Sequence, residues 1–256
     1  MLFETVGTLA IQSLHDMGGV LLLARDTILS IFRGRFHWKE VFSQMVRIGV
    51  ESLPASMVAA AFIGMVFSVQ IASEFVRFGA GQMVGAVMAI AVSRELAPVL
   101  TAVIISGRVG AAIAAEIGTM SVTEQIDAMY AMGSNPVKHL VVPRFFALTT
   151  MLPILTLFAD FIGFIGGYLV AVYLVGINPI GYVDTAASYV DFSDITGGLI
   201  KAIFLGMIIA LVGCYRGLRA HGGARGVGEA TTHAVVQSLI LIFVTNYFLS
   251  IILFKR

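Results

Sequence analysis

Residues 78–107 read FGAGQMVGAVMAIAVSRELAPVLTAVIISG, and the only charged side chains among them are Arg94 and Glu95. A helix needs about 20 consecutive apolar residues to cross the hydrocarbon core of a bilayer. We therefore predict a membrane-spanning helix over residues 82–107. The rest of the chain has the same character, because 58% of its 256 residues are hydrophobic and only 12% are charged. Soluble domains carry about 25% charged residues, so the sequence predicts an integral membrane protein.

Four further stretches are long and apolar enough to cross a bilayer, and none contains more than one Asp, Glu, Lys or Arg. Together with the first stretch they predict an all-α integral membrane protein with five transmembrane helices. Gly163 and Gly167 have the four-residue spacing that lets two helix backbones approach closely in lipid. The four further spans are predicted near residues 53–73, 145–175, 195–215 and 232–254.

Five spans put the two chain termini on opposite sides of the membrane. Lys and Arg are concentrated in the cytoplasmic connections of multispanning proteins. With a cytoplasmic N-terminus, most Lys and Arg residues fall in the inner segments, and the outer connection at residues 176–194 has three Asp and no Lys or Arg. The sequence therefore predicts a cytoplasmic N-terminus and a cytoplasmic connection between spans 2 and 3. The outer segments then hold only Arg77, Lys201, Lys255 and Arg256.

Residues 1–50 do not contain a complete span. Apolar residues recur at helical spacing near the N-terminus, and the apolar run at residues 17–32 is interrupted by Arg25 and Asp26. We expect amphipathic helices that lie in the cytoplasmic interface of the membrane. The alternative is a first span that begins near residue 17, which would give six spans and a cytoplasmic C-terminus. No basic segment of a secretory signal opens the chain, so we expect the mature protein to begin here.

Between spans 2 and 3, residues 121–133 (SVTEQIDAMYAMG) have the pattern of a short, capped helix. Ser121 and Glu124 match the capping box that begins many helices, and Gly133 suits the left-handed position that ends them. About eleven helical residues would form a rod of roughly 16 Å, which is too short for a span. Such a rod is suited to docking another protein; the alternative is a loop helix that packs on its own bundle. Its apolar face has Val122, Ile126, Met129 and Tyr130, and its polar face has Thr123, Glu124 and Asp127.

The two charges of the second span need an explanation. A charged side chain in the middle of a span costs about 2.5–3.5 kcal/mol, so Arg94 and Glu95 should face a cavity or a partner. One interpretation is a polar point in a lipid-facing cavity, where Arg94 meets a phosphate. The other is an internal ion network with neighbouring spans. For Asp160, in the third span, we expect hydrogen bonds from a neighbouring helix.

Several classes of protein are excluded by what the sequence lacks. No lysine follows a glycine, so the chain has no P-loop for ATP. It also lacks the Gly-x-Ser-x-Gly and His-Glu-x-x-His patterns of hydrolases and metalloproteases, so we do not expect an enzyme. A single cysteine, Cys214, excludes an internal disulfide and a cysteine metal site. The net charge of +1 argues against a nucleic-acid partner.

Five motifs resemble those of the MlaE (YrbE) permeases. Four of them lie in the region from the second span to the predicted docking helix, and the fifth leads into the last span. The resemblance covers about residues 40–256 in order. The motifs are residues 95–102 (ELAPVLTA), 107–110 (GRVG), 115–120 (AEIGTM), 124–129 (EQIDAM) and 226–236 (GVGEATTHAVV).

The resemblance implies the permease subunit of an ABC transporter that moves phospholipids between inner and outer membranes and so maintains lipid asymmetry. It implies a homodimer driven by a separate cytoplasmic ABC ATPase, which binds ATP and Mg, so that the permease needs no cofactor. It further implies a periplasmic MCE-domain protein and, in some systems, a STAS-domain protein. The location would be a bacterial inner membrane, since no chloroplast transit peptide is present. The alternatives are an ion- or proton-coupled secondary transporter that uses Arg94, Glu95 and Asp160 as a relay, and a non-transporting membrane scaffold.

The resemblance also assigns roles to particular residues. Arg94, Glu95 and Phe78 match the family's lipid-binding cavity. Asn246 departs from the pattern, because we expect an acidic residue there in many relatives. The residues that match the ATPase-coupling segment are Glu116, Gly118, Thr119, Glu124, Gln125, Ile126, Asp127 and Met129.

Overall fold

The computed structural model describes residues 2–33 and 38–255, and in this part of the chain every regular element is helical. Met1, residues 34–37 and Arg256 lie outside it. The α-helices are α1 (Leu2–Arg33), α2 (Trp38–Gly49), α3 (Leu53–Arg77), α4 (Val84–Ala91), α5 (Ala97–Ile105), α6 (Ala111–Val122), α7 (Gln125–Ala131), α8 (Val142–Tyr173), α9 (Pro179–Tyr189), α10 (Phe192–Leu218) and α11 (Gly223–Phe254).

Five helical runs in the described residues are long and apolar enough to cross a membrane, which confirms the predicted all-α class and number of spans. Each run contains the corresponding predicted span almost entirely and extends it at one or both ends. In the first three runs, short 3₁₀ or π turns join successive helical segments without interrupting the run. The five runs are Trp38–Arg77, Gly81–Val122, Val137–Tyr173, Phe192–Leu218 and Gly223–Phe254.

The N-terminal region forms one long helix and one short helix. Arg25 and Asp26 do not interrupt α1, which continues for 32 residues and carries these two side chains as an exposed ion pair of 2.9 Å. Helix α1 is not among the five apolar runs. It packs on α10, where Gly19 lies against the ring of Tyr215 and Arg216 pairs with Asp16 at 2.7 Å. The location of α1 and α2 in the membrane interface stays a prediction.

The helices α3 and α8 are in backbone contact. A Cβ atom on Gly64 would overlap the carbonyl group of Gly163, and one on Gly166 would overlap that of Ala61. Ser68 Oγ donates a hydrogen bond of 2.8 Å to the carbonyl oxygen of Gly167. Small residues therefore allow the close approach that the spacing of Gly163 and Gly167 predicts.

The second apolar run is not one regular α-helix. Two π-helical turns, at Val92–Leu96 and Ser106–Gly110, separate α4, α5 and α6, and a third at Val137–Val141 precedes α8. A π turn adds one residue to a helical turn and is common at functional sites. The first π turn contains both charged residues of the span, Arg94 and Glu95.

Helix α11 packs through a narrow stripe. Its buried residues recur at every fourth position, and small side chains dominate, so the helix lies close to its neighbours α6 and α10. Many other side chains on α11 are large, apolar and exposed. The same four-residue spacing continues to Asn246 and Ser250 beyond the buried set. That buried set is Ala230, Ala234, Ser238 and Ile242.

The short helix α9 determines where α10 begins. Its Tyr182 is fully buried and packs on the rings of Phe164 and Tyr168, with centroid distances of 5.3 and 5.5 Å. The backbone of Tyr182 lies so close to Gly85 in α4 that a Cβ there would overlap it. With α9 held along α4 in this way, the chain enters α10 beside the first π turn.

Candidate functional site

Six polar residues from three apolar runs meet at the first π turn, and we call them the polar cluster. The π turn contributes Arg94 and Glu95. The other members lie on α10 and α11, so one cluster joins elements that are about 100 to 150 residues apart in the chain. Those other members are Asp194, Lys201, Asn246 and Ser250.

Lys201 is the fully buried cation of the polar cluster. Its ammonium donates to Glu95 Oε1 at 2.7 Å, to Ser250 Oγ at 2.7 Å and to the backbone carbonyl of Arg94 at 2.8 Å. An ammonium group has three N–H donors, and each has an acceptor here. Because a charge is tolerated in an apolar interior only when it is paired and hydrogen-bonded, these contacts explain how Lys201 can be buried.

Glu95, on the first π turn, is the anion that bonds to side chains of both α10 and α11. Its carboxylate accepts from Lys201, lies 2.8 Å from Ser250 Oγ, and accepts from Asn246 Nδ2 at 3.0 Å. Its side chain nevertheless remains 43% exposed. The carboxylate is thus held by hydrogen bonds on its buried side and is open on its exposed side.

Arg94 and Asp194 form the second ion pair of the polar cluster. Arg94 Nε and Nη2 donate to Asp194 Oδ1 at 2.9 and 2.7 Å. The other oxygen of Asp194 accepts the backbone N–H of Asp191 at 3.0 Å, as part of a capping box that begins α10. The Arg94 guanidinium also lies over the ring of Phe254, 4.8 Å from its centroid. Asp194 is buried, whereas 27% of the Arg94 side chain is exposed.

The polar cluster balances its charges in one chain. Arg94 and Lys201 are cations, and Glu95 and Asp194 are anions. Each ion pair has one buried and one partly exposed member. Lys201 and Asp194 are buried, while their partners Glu95 and Arg94 are partly exposed. The arrangement can therefore offer one guanidinium and one carboxylate to a ligand, each oriented by a buried partner of opposite charge.

The structure shows which interpretation of Arg94 and Glu95 holds within a single chain: they belong to an internal ion network. Contact with lipid stays a prediction, as does the role of Phe78, which follows the last residue of α3 and is 82% exposed. Lys201, which the sequence counts among the cations of the outer segments, lies within α10, where its ammonium is buried and bonded to Glu95. The side of the membrane on which it lies stays a prediction.

Sequence reasoning did not connect Lys201, Asp194 or Ser250 with the two charges of the second span. One signal was present, since Lys201 is the only charged residue in its predicted span. Asn246 replaces the acidic residue that the resemblance leads us to expect. Its amide donates to Glu95, where a second carboxylate would face the first.

The predicted docking helix is shorter than residues 121–133, and its predicted start was wrong. Ser121 lies inside α6, and its hydroxyl oxygen is 3.1 Å from the carbonyl oxygen of Ala220, at the end of α10. Glu124 adopts a left-handed conformation with φ of +60°, so the two residues do not form a capping box. The helix is α7, Gln125–Ala131, with a length of about 10 Å.

The end of α7 is the one that the sequence predicts. Gly133 has φ of +71°, its N–H donates to the Tyr130 carbonyl at 2.9 Å, and the Ser134 N–H donates to the Met129 carbonyl at 2.9 Å. These are the two bonds of a Schellman motif. Ile126 is buried in the bundle and Met129 is partly buried, but Tyr130 is 60% exposed. The apolar face that packs on the bundle is therefore narrower than predicted.

The residues matched to ATPase coupling fall into two groups. Gln125 and Asp127 are exposed on α7, Glu124 is exposed just before it, and Thr119 is exposed on α6. The other two residues of α6 face the bundle. Glu116 pairs with Arg47 and, at 3.0 Å, with Arg144, and Gly118 packs against Ala220 and Val227.

The amino-acid sequence of the chain is similar to those of known proteins. Residues 41–252 match the protein family described as Permease MlaE. The chain is 46% identical to a "Probable ABC transporter permease protein" of Synechocystis sp., over 91% of this chain and 89% of that protein. It is 41% identical to a protein of the same description from Rickettsia typhi, over 98% and 96%. It is 40% identical to "Protein TRIGALACTOSYLDIACYLGLYCEROL 1, chloroplastic" of Arabidopsis thaliana, over 92% of this chain and 67% of that protein.

Replacing Lys201 by Met leaves the Glu95 carboxylate without its cation, and we expect the free energy of unfolding to fall by about 1–3 kcal/mol. The double variant Lys201→Met/Glu95→Gln should recover most of that loss, because no unpaired charge remains. Unfolding of the purified chain in mild detergent, followed for the two single variants and the double variant, measures this coupling. Strictly additive effects would show that the two side chains do not interact.

Proposed function

The chain belongs to the MlaE permease family, and we propose that it forms the membrane-spanning part of an ABC transporter that carries phospholipids between the inner and outer membranes of a bacterium. The observation that carries the proposal is the polar cluster, which holds a partly exposed guanidinium and a partly exposed carboxylate among apolar helices. A phospholipid has the matching chemistry, with a charged headgroup joined to apolar chains.

The two exposed charges suit a lipid headgroup. Asp194 engages Arg94 Nε and Nη2 and thereby orients the guanidinium, whose N–H donors form strong, charge-assisted bonds with phosphate. The open side of the Glu95 carboxylate can accept from an amine or a hydroxyl group of the headgroup. Next to Asn246 of the polar cluster, the exposed side chain of Tyr247 on α11 offers a contact for acyl chains.

The names of the relatives support an ABC transporter permease, and one of them supports a lipid as the cargo. Two of them are named as probable ABC transporter permeases, and the name of the Arabidopsis relative is that of a glycerolipid. An ion relay through Arg94, Glu95 and Asp160 has less support. Neither carboxyl oxygen of Asp160 has a hydrogen-bond partner in the described residues, so Asp160 is not linked to the polar cluster.

A separate ATPase supplies the energy in this proposal, with ATP and Mg bound by that partner. It docks on α7 and on Glu124 just before it, where the exposed polar residues Glu124, Gln125 and Asp127 face away from the bundle. Because only Thr123 and Glu124 connect α7 to α6, and Ile126 is buried in the bundle, a push on α7 is transmitted to α6. Helix α6 belongs to the same apolar run, Gly81–Val122, as Arg94 and Glu95.

The remaining partners and the orientation follow from the family resemblance. Two copies of the chain form the core, and an MCE-domain protein exchanges lipid with them on the periplasmic side. A STAS-domain protein joins the ATPase in systems that have one. The N-terminus and α7 face the cytoplasm of a cell with an inner and an outer membrane.

The lipid-handling role is tested by the double variant Arg94→Gln/Asp194→Asn, which removes both charges of one ion pair without leaving either unpaired. We expect ATP-driven phospholipid transfer to fall about 10- to 100-fold, as for the loss of a hydrogen bond to a charged group. Transfer of labelled phospholipid between reconstituted and acceptor vesicles measures it in both directions. The ATPase should still co-purify; unchanged transfer by a variant that retains the ATPase would contradict the proposal.

The docking role is tested by replacing Glu124 and Asp127 with Lys. Reversed charges should repel the complementary surface of the ATPase, so that ATPase co-purification and lipid transfer are both lost. Asp184→Lys is the matched control, because it reverses an exposed acidic residue on α9. If co-purification and transfer survive in the Glu124 and Asp127 variant, another surface docks the ATPase.

A further inference from the structure

A second polar feature lies on α8, outside the polar cluster. There a groove of about 240 Å³, which we call the Asp160 groove, runs between α8, α4 and the start of α10. Its lining is almost entirely apolar and includes Ala89, Phe161, Phe164 and Ile195, with Asp160 as the one ionisable residue. No member of the polar cluster lines it.

Both carboxyl oxygens of Asp160 are buried and have no hydrogen-bond partner in the described part of the protein. The expectation that a neighbouring helix donates to Asp160 is therefore wrong for those residues. The cations Arg94 and Lys201 are engaged by Asp194 and Glu95. An isolated carboxylate in apolar surroundings is so costly that the group is neutral instead, and a neutral carboxylic acid has an O–H donor.

The Asp160 groove opens on the exposed surface of α8, which belongs to one of the five apolar runs. Two of its lining residues, Leu157 and Phe161, are 50% and 65% exposed. The depth of the groove in the membrane follows from two of its lining residues, Val190, which precedes α10, and Ile195, which lies in the first turn of α10. Helix α10 is about 40 Å long, so its first turn lies near the boundary of the hydrocarbon core, which is about 30 Å thick. The ester groups of bilayer lipids lie at that boundary.

We propose that the Asp160 groove binds an acyl chain of a membrane phospholipid and that Asp160 donates a hydrogen bond to the ester carbonyl of that chain. The apolar lining takes the methylene groups, and the acid supplies the single polar contact. Small lipid sites of this kind combine an apolar concave surface with few polar groups that fix orientation. The proposal rests on membrane insertion and holds whether or not the chain moves phospholipid.

The state of Asp160 is tested with dicyclohexylcarbodiimide, an apolar reagent for protonated carboxyl groups. The acid proton passes to one nitrogen of the reagent, the carboxyl oxygen bonds to its central carbon, and the product rearranges to a stable N-acylurea. We expect mass spectrometry to find this adduct on Asp160 in delipidated protein. Asp194, which is buried but paired with Arg94, should remain unmodified, and Asp160→Asn should remove the adduct.

Occupancy by lipid is tested in phosphatidylethanolamine nanodiscs with a phospholipid that carries a diazirine on one acyl chain. The wild-type chain should crosslink at residues of the groove, and the same lipid should protect Asp160 from the carbodiimide by about fivefold, as mass action requires at several times the dissociation constant. Asp160→Leu should reduce crosslinking about 5- to 10-fold through loss of the hydrogen bond. Asp160→Asn, which keeps a donor, should stay within about twofold of wild type.

Measurements of the unfolding temperature distinguish lipid binding by Asp160 from a purely structural role of this residue. Since Asp160→Leu replaces an unpaired polar group by an apolar one, its unfolding temperature in detergent should equal or exceed that of wild type. Ala89→Phe should block crosslinking with Asp160 intact, whereas Leu169→Phe, on α8 outside the groove, should not. An unreactive Asp160, unchanged crosslinking in Asp160→Leu, a lower unfolding temperature of that variant, or protection by a co-purifying protein instead of lipid would each overturn the proposal.

Discussion

The bond between the buried ammonium of Lys201 and the carboxylate of Glu95 is the interaction on which the arrangement of the spans depends. A buried lysine must have all of its donors satisfied, and here the acceptors come from the first π turn and from α11. Outside the polar cluster, helix α11 is attached by a narrow stripe of small residues and by a hydrogen bond from Arg216 to Gln237. The ammonium of Lys201 thus sets the position of α11 relative to α10, and it fixes one side of Glu95 while leaving the other side open.

The same π turn links the polar cluster to α7, on which we propose that the ATPase docks. Arg94 and Glu95 are adjacent in sequence, yet one bonds to the first turn of α10 and the other to the middle of α10 and to α11. From there the run continues through α5 and α6 to α7. A displacement of α7 therefore reaches a segment whose two charged side chains hold three helices together. In the proposed function, this is the physical route by which ATP hydrolysis in another subunit changes the lipid site.

The sequence was sufficient for those features that depend on local pattern. Span number follows from the length of apolar runs, and the end of α7 follows from Gly133, which only has to satisfy local backbone geometry. The start of α7 did not follow, because Ser121 lies inside α6 and its hydroxyl is 3.1 Å from the carbonyl oxygen of Ala220, just after α10. Tertiary contacts of this kind override a local motif. The pairing of Lys201 with Glu95 also lay beyond the sequence, since it depends on the register of α10 and on the extra residue of the π turn.

The central claim is that this chain is a lipid-conducting permease without an energy source of its own. Native mass spectrometry of the assembly, released from its own membrane in mild detergent, tests this claim most directly. We expect this chain to appear with a nucleotide-binding subunit and with bound phospholipid, and the chain separated from that subunit to have no ATPase activity. A chain detected with neither a nucleotide-binding subunit nor phospholipid would contradict the proposed function. So would an isolated chain that hydrolyses ATP.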